Sequence, residues 1–268
     1  MNKIQVVTII QTRTGSSRFP QKVLKRLGSK PLFITMVERI KQAKYVGRVV
    51  IATTFMPEDD IIEMICLSHG IDCFRGHPTD LLDRHYQTAL FYQADAVVKI
   101  PSDCPLVDID VIDQVIGLYI FNHDKYDYVS NLHPATFPDG NDVEIMSINA
   151  LKTAWIGANR EYEREHTTPY IWDQPELFNL GNVYYEQGNL SMTHRWCLDY
   201  KEDYEFIKTI YDALAPENPY FGIKEILEYL SKNHYVNKIN EVYKGVNWYR
   251  HHLDELKTIK QEETRVAI

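Results

Sequence analysis

Short apolar runs alternate with longer amphipathic segments through the first half of the chain. Residues 5–10 and 48–53 are apolar and β-branched, which is typical of buried strands. Between them, residues 31–43 carry apolar side chains at helical spacing. The pattern then predicts a helix from Pro57 to a stop at Gly70, a strand at 72–74, a helix at 79–93, a strand at 96–100, a helix capped by Asp108 and a strand at 126–130.

This alternation predicts an α/β fold with a mostly parallel, twisted sheet covered by helices on both faces. Ligands of such sheets bind beyond the carboxyl ends of the strands. That rule points to the loops that begin at Gln11, Thr53, Arg75, Pro101 and Asn131.

The second half is less regular. Its pattern predicts strands at 143–147 and 178–183 and helices at 148–159, 201–214 and 224–232. The polar tail from residue 257 is expected to fray. We predict a single domain over residues 1–245, with a decorated C-terminal half, and a C-terminal extension over residues 246–268.

The composition is that of a globular protein. The chain has 268 residues, 44% of them hydrophobic and 25% charged, so disorder is not expected. The first apolar run is too short for a signal peptide, and no apolar stretch approaches the length of a membrane helix. The four cysteines show no Cys-x-x-Cys spacing, which favours free thiols in the cytoplasm over a zinc site or a disulfide framework.

Charge is distributed unevenly along the chain. The formal net charge is −8, which speaks against a nucleic-acid partner. Residues 1–37, however, contain seven lysines and arginines and no acid, whereas the rest holds 22 bases and 37 acids. A basic island in an acidic protein indicates a site for a small anion.

The island contains the loop that follows the first predicted strand, Gln-Thr-Arg-Thr-Gly-Ser-Ser-Arg-Phe-Pro-Gln-Lys at residues 11–22. Gly15 permits close approach of the backbone to a ligand, and Ser16 and Ser17 add short donors. Arg13, Arg18 and Lys22 supply positive charge suited to phosphate oxygens. The spacing matches neither a Walker loop nor a dinucleotide fingerprint. The loop is therefore predicted to hold a triphosphate.

Residues 14–24 resemble the signature loop of the cytidylyltransferases that make CMP-activated sugars, and the spore-coat polysaccharide branch most closely. Related synthetases make CMP-sialic acid and CMP-3-deoxy-octulosonic acid. Further matches follow in the family's order between residues 4 and 206: Ala52-Thr-Thr, Phe74-Arg-Gly, Asp80-Leu-Leu-Asp-Arg-His-Tyr, Ser102-Asp-Cys-Pro-Leu, Phe137-Pro-Asp-Gly-Asn-Asp-Val-Glu and Arg164-Glu-His.

The resemblance implies a Rossmann-like nucleotidyltransferase fold of the GT-A-like type. It also implies Mg²⁺-dependent transfer of CMP from CTP to a hydroxyl of a small sugar or sugar acid, with release of pyrophosphate. Arg13, Arg18 and Lys22 would hold the β- and γ-phosphates beside Gly15, Ser16 and Ser17. Arg13, Lys22 and Asp103 are the residues expected to act in catalysis.

Magnesium is expected at Asp103 and Asp199. Mg²⁺ prefers one or two carboxylates together with phosphate oxygens and water. Without the resemblance, a turn or N-cap acid is the favoured interpretation of Asp103. Asp203, four residues after Asp199, is either a functional acid or one favoured by a helix start.

The remaining assignments concern the base and the sugar. By resemblance, Thr53, Arg75 and Arg84 lie near the nucleobase, although Arg84 has the alternative of pairing with Asp80 or Asp83 on its own helix. The residues assigned to the sugar are Asp142, Glu144, Glu165 and His166. The alternative for Asp142 and Glu144 is that they form the solvated face of an edge strand. The alternative for His166 is a hydrogen-bonded structural role.

Two departures from the family pattern weaken any transfer of sialic-acid specificity. Val23 follows the loop lysine where asparagine is usual, and Asn141 replaces a leucine. The rival functions are another nucleotidyltransferase, a glycosyltransferase that consumes a nucleotide-sugar, and a non-catalytic nucleotide-binding protein. Similar enzymes are commonly dimers, which is the sole support for a homodimer here.

Overall fold

A computed structural model of the protein describes residues 4–266. Its strands, in chain order, are β1 (Val6–Gln11), β2 (Arg26–Leu27), β3 (Lys30–Pro31), β4 (Arg48–Thr54), β5 (Asp72–Gly76), β6 (Ala96–Lys99), β7 (Tyr128–Ser130), β8 (Glu144–Ser147) and β9 (Leu180–Asn182). Its helices are α1 (Leu32–Ile40), α2 (Asp60–Ser68), α3 (Leu81–Phe91), α4 (Ile109–Ile120), α5 (Ile148–Gly157), α6 (Glu161–His166), α7 (Pro169–Trp172), α8 (Lys201–Leu214) and α9 (Ile223–Lys232).

Seven of these strands form one sheet in the order β5-β4-β1-β6-β8-β7-β9. The pairs β5–β4, β4–β1, β1–β6 and β7–β9 are parallel, whereas β8 runs antiparallel to both of its neighbours. The predicted α/β class with a mostly parallel sheet is therefore confirmed, with β8 as the reversed strand.

The sheet separates two apolar cores. Along β1, Val6 and Ile10 pack into one core, and Val7 and Ile9 pack into the other. This alternation follows from the two-residue period of a strand. A strand that is apolar on both faces needs helices on both sides, which is what the sequence pattern predicted.

The C-terminal part of the chain packs against this domain. Leu256 and Thr264 are buried, and the backbone amides of Lys257 and Thr258 donate to the Asp173 carboxylate. The prediction of a fraying tail is therefore wrong for residues 257–264, because buried side chains and a carboxylate partner hold them. The last two residues of that tail, 267 and 268, lie outside the described residues. Among the described helices, none has the length and apolar character needed to cross a membrane.

Candidate active site

A cleft of about 1160 Å³ opens at the carboxyl ends of β1 and β6. The loops after both strands line it, together with the segment that leads into β8. It brings together most residues predicted from the sequence for phosphate, metal, nucleobase and sugar: Arg13, Gly15, Ser16, Ser17, Arg18, Lys22, Arg84, Asp103, Asp142, Glu144, Glu165, His166 and Asp199.

The basic loop after β1 is held in place by a buried carboxylate, Asp59. One oxygen of Asp59 accepts hydrogen bonds from the backbone amide of Thr14 at 2.8 Å and from its hydroxyl at 2.7 Å. The other oxygen accepts from the hydroxyl of Thr54 at the end of β4. The loop is thus fixed against the sheet while Gly15 faces open space, since a Cβ built there would meet no atom within 4 Å.

Lys22 lies between the two predicted metal ligands. Its Nζ is 2.9 Å from Oδ1 of Asp199 and 3.5 Å from Oδ2 of Asp103, and it also donates to the carbonyl of Leu198. Arg18 reaches the same Asp199 oxygen at 2.8 Å. Burial opposes the charge of the Lys22 ammonium, but Asp103 and Asp199 outweigh it and raise its pKa. In the same way, Lys22 and Arg18 overcome the burial of Asp199 and hold the pKa of that carboxyl below its usual range.

Behind this group lies Arg195, whose side chain is only 2% exposed. Its guanidinium contacts Asp203, Asp139 and Asp199, at 3.0, 3.2 and 3.5 Å respectively. Asp203 also accepts from the backbone amides of Asp199 and Tyr200, so it caps the start of α8. The helix-start interpretation of Asp203 is confirmed, and the same carboxylate neutralises Arg195.

Two further carboxylates, Asp139 and Asp142, stand close to Asp103. Burial, together with Asp139 and Asp103, raises the pKa of Asp142 to about 8. Burial also raises the pKa of Asp139 to about 6, although Arg195 opposes the shift. The cleft therefore holds more carboxylates here than the neighbouring lysine and arginines neutralise, and an added cation would stabilise it.

The oxygen ligands present fit magnesium. A bound Mg²⁺ takes one or two carboxylates and completes its shell with water and substrate phosphates. Asp103 and Asp199 provide two carboxylates close enough for one ammonium, that of Lys22, to contact both. Within residues 4–266, no three histidine, cysteine or carboxylate side chains form a complete metal cage.

Glu144, which also lines the cleft, is tied into the sheet. It is 1% exposed, forms an ion pair with Lys99 and accepts a hydrogen bond from the Tyr128 hydroxyl at 2.7 Å. Lys99 and these hydrogen bonds outweigh burial and lower the pKa of Glu144. His166 stacks on Trp248 with ring centroids 3.9 Å apart, and burial lowers its pKa to about 3. This histidine is therefore an uncharged ring at neutral pH.

Arg84 and Arg13 meet at the loop before α3. Arg84 donates to the carbonyls of His77 and Pro78, and Arg13 donates to the carbonyl of Pro78. Asp80 instead caps α3 and pairs with Arg164 at 2.5 Å. The alternative in which Arg84 pairs with Asp80 or Asp83 is therefore wrong, because two carbonyls take its guanidinium.

Two residues predicted for the nucleobase lie outside the cleft lining. Thr53 is fully buried in β4. Arg75 turns back across the end of β4, where it donates to the carbonyls of Thr54 and Met56 and pairs with Asp60 and Glu63 on α2. Asp60 and Glu63, one helical turn apart on α2, hold the guanidinium away from the cleft. The structure therefore does not bring these two residues to the site.

Three features of the site were missed from the sequence. The sequence pattern indicated that Asp59 is an acid at the start of a helix. Nothing in that local pattern shows that it binds a loop 45 residues earlier. Asp139 and Arg195 meet across the chain, although the Pro-Asp-Gly turn at residues 138–140 is a local sign of a special backbone. Residues 245–263 supply much of one wall of the cleft, and their polar composition gave no sign of it.

Comparison with known proteins places this geometry in a family. The sequence model of the cytidylyltransferase family matches residues 7–236. The spore coat polysaccharide biosynthesis protein SpsF of Bacillus subtilis is 31% identical over 233 residues, covering 85% of this chain and 95% of that protein. The 3-deoxy-manno-octulosonate cytidylyltransferase 2 of Hydrogenovibrio crunogenus is 26% identical over 216 residues, covering 77% and 85%. The structure of a cytidylyltransferase from Leptospira borgpetersenii has a TM-score of 0.82 at 30% identity, covering 87% of this chain and 97% of that one.

Proposed function

The chain belongs to the cytidylyltransferase family and is a nucleotidyltransferase enzyme, and we propose that it transfers CMP from CTP to a hydroxyl group of a small sugar or sugar acid. The second product is pyrophosphate. The name of its relative SpsF, a spore coat polysaccharide biosynthesis protein, supports a role in polysaccharide synthesis.

The observation that carries this proposal is the position of Lys22 between Asp103 and Asp199, at the mouth of a loop rich in arginine. A triphosphate and a divalent cation need opposite charges within a few ångströms of each other. This cleft offers both, because the basic loop after β1 and the carboxylates after β6 and before α8 converge in it.

The basic loop would hold the triphosphate. Arg13, Arg18 and Lys22 would contact the β- and γ-phosphates, and Gly15 leaves room for them against the backbone. Ser16 and Ser17 add hydroxyl donors at the same place. In the reaction, these cations would stabilise the negative charge that builds up on the departing pyrophosphate.

Asp103 and Asp199 would hold Mg²⁺, which would supply Lewis-acid stabilisation of the phosphate charge. The acceptor hydroxyl oxygen would form the new bond to the α-phosphorus as the bond from that phosphorus to the pyrophosphate oxygen breaks, and the hydroxyl proton would be released to solvent. Asp142, Glu144, Glu165 and His166 line the same cleft and would contact the sugar. Since Glu144 is occupied by Lys99, Asp142 is the better placed of the two acids to accept a hydrogen bond from a sugar hydroxyl.

The test measures pyrophosphate release with Mg²⁺, each of the four nucleoside triphosphates, and a panel of neutral, amino and acidic sugars. CTP should give a signal with at least one acceptor that the other triphosphates do not give. A glycosyltransferase would release no pyrophosphate, and a binding protein would show nucleotide binding without turnover. Absence of a CTP-specific signal across the panel would refute the proposal.

Two variants test the roles of the residues. Asp103→Asn should abolish turnover and retain some CTP binding, whereas Lys22→Ala should weaken CTP binding itself. Lys30→Ala is the matched control, because Lys30 forms an exposed ion pair with Glu38, with 42% of each side chain exposed. Normal turnover in Asp103→Asn would remove the metal assignment.

A further inference from the structure

Much of one wall of the cleft is made by the C-terminal segment, defined here as residues 245–264. This segment follows the part of the chain matched by the family model, which ends at residue 236. We propose that it selects the acceptor, with Trp248 and Tyr249 packing against the apolar C–H face of a ring-form sugar. This inference rests on the proposed function.

The C-terminal segment is fixed at both ends, so it is a built wall. At its start, the carbonyl of Val246 accepts from Arg195 at 3.1 Å, and the carbonyl of Gly245 accepts from the amide of Arg265 at 2.6 Å. Farther along, Thr258 binds the Asp173 carboxylate through both its amide and its hydroxyl, each at 2.8 Å. Asn247 closes the loop by donating to the carbonyl of Glu263.

Aromatic rings from the segment and from the domain form its inner surface. Trp248 stacks on His166, and its ring centroid lies 4.7 Å from that of Tyr249. Behind them, Trp172 is 2% exposed and stacks on His133 with centroids 4.1 Å apart. Trp248 and Tyr249 are only partly buried, and both line the cleft.

The histidines of this surface are uncharged, which favours contact with the apolar part of a sugar. Burial lowers the pKa of His133 to about 4 and that of His166 to about 3, so both rings are neutral at physiological pH. Sites for small molecules combine apolar and aromatic walls with a few polar groups that fix orientation. Here Asp142 and the Lys99–Glu144 pair line the same cleft and supply polar partners for sugar hydroxyls.

The segment is also connected to the residues proposed for the nucleotide. Arg195 binds both its Val246 carbonyl and Asp199. Just before the segment, Tyr243 stacks on Tyr200 with ring centroids 3.9 Å apart, and Tyr200 lies beneath the guanidinium of Arg18. The aromatic wall is thereby held at a set distance from the phosphate-binding loop, as a specificity-determining surface requires.

The experiment measures binding in two steps by calorimetry with Mg²⁺. The first step titrates the unreactive analogue cytidine 5′-(α,β-methylene)triphosphate into the protein. The second titrates glucose, glucosamine, N-acetylglucosamine, N-acetylneuraminate and 3-deoxy-manno-octulosonate into the resulting complex. Trp248→Ala should lower the affinity for the sugar that binds the wild type best by at least tenfold. Its affinity for the analogue should stay within twofold of the wild-type value. Trp248→Phe should recover most of the loss.

Trp155→Ala is the control, because Trp155 is also a half-buried stacked tryptophan but lies outside the cleft. It should leave both affinities within twofold of wild type. If Trp248→Ala loses the wild-type circular dichroism spectrum, Trp248→Leu, which keeps apolar volume without the ring, replaces it with the same expectation. Two results would overturn this inference and leave the proposed function standing. In the first, Trp248→Ala loses affinity for the sugar and for the analogue equally. In the second, the wild type binds the analogue but none of the sugars. No binding of the analogue would instead refute the proposed function.

Discussion

Replacement of Arg195 by methionine tests how the carboxylate-rich side of the cleft is held together. All five N–H groups of this guanidinium have partners. Nε and Nη2 donate to the two oxygens of Asp203, and Nη2 also donates to Asp199, while Nη1 donates to Asp139 and to the carbonyl of Val246. Methionine keeps the length and apolar stem of the side chain and removes all of these bonds together with the charge.

The expected cost follows from the burial of the partners. Asp203 is 0% exposed, so in Arg195→Met it becomes a buried carboxylate without a counterion. Removing one member of a buried ion pair costs about 3–5 kcal/mol, whereas a domain has only about 5–15 kcal/mol of stability in all. We therefore expect the free energy of unfolding to fall by about 3–5 kcal/mol at pH 7.5.

The direction of the pH dependence gives a second, independent test. Without Arg195, which opposes the shift, the pKa of Asp139 should rise further above its unfolded value than the value of about 6 to which burial already raises it. The folded variant then binds more protons than the unfolded chain, and its stability rises as the pH falls through that raised pKa. The loss in Arg195→Met should therefore be smaller at pH 5 than at pH 7.5.

Urea unfolding followed by circular dichroism measures both effects. Arg48→Met is the control, because Arg48 pairs with Asp72 at the surface, with 49% and 39% of the two side chains exposed. Such an exposed pair contributes at most about 1 kcal/mol. A loss in Arg195→Met no larger than in this control, or one that does not shrink at pH 5, would refute the account of the cluster.

Three other variants test separate parts of the molecule. Gly15→Ala should leave the free energy of unfolding unchanged, because the added Cβ meets no atom within 4 Å. It should weaken CTP binding measured by calorimetry, and an unchanged affinity would show that the phosphates do not approach this backbone. In urea unfolding, Gly140→Ala should lower the free energy of unfolding more than Gly188→Ala does. Both glycines have a positive φ, but only a Cβ added at Gly140 would meet backbone atoms, at 2.6 Å. Equal losses of stability in the two variants would exclude this clash. Burial lowers the pKa of His133 to about 4 from 6.5, so its contribution to stability is lost as the pH falls below 6.5. Between pH 7 and pH 5, the free energy of unfolding of the wild type should therefore fall by about 2 kcal/mol more than that of His133→Phe. An equal fall in both proteins would contradict this.

The predictions from the sequence were most accurate where local pattern determines structure. The predicted strands of the first half are present as β1, β4, β5, β6 and β7, and the predicted helix at 201–214 is α8. Asp108 caps α4 as expected, because its carboxylate accepts from the amides of Asp110 and Val111. Periodicity and capping are properties of neighbouring residues, so the sequence shows them directly.

The features that were missed depend on contacts between distant residues. The reversed direction of β8 is set by its pairing with β6 and β7 across the sheet, and a run of apolar residues carries no direction. Arg75 was assigned to the nucleobase from its place after a strand, but Asp60 and Glu63 on α2 take its charge. Residues 257–264 are polar, and they are held by Asp173, more than eighty residues earlier, and not by an apolar pattern of their own.

The uneven charge along the sequence acquires a physical meaning in the cleft. Residues 1–37 carry only positive charge, but in the folded chain Arg18 and Lys22 contact Asp199 from the acidic remainder, and Lys22 also reaches Asp103. The cations suited to a triphosphate and the carboxylates suited to a magnesium ion thus neutralise each other. Either ligand alone would separate these pairs and leave the largely buried charge of Lys22 or Asp199 uncompensated, which is costly. Under the proposed function, a nucleotide bound together with its metal would offer a new partner to each side at once, so the arrangement would favour the metal–nucleotide complex over either component.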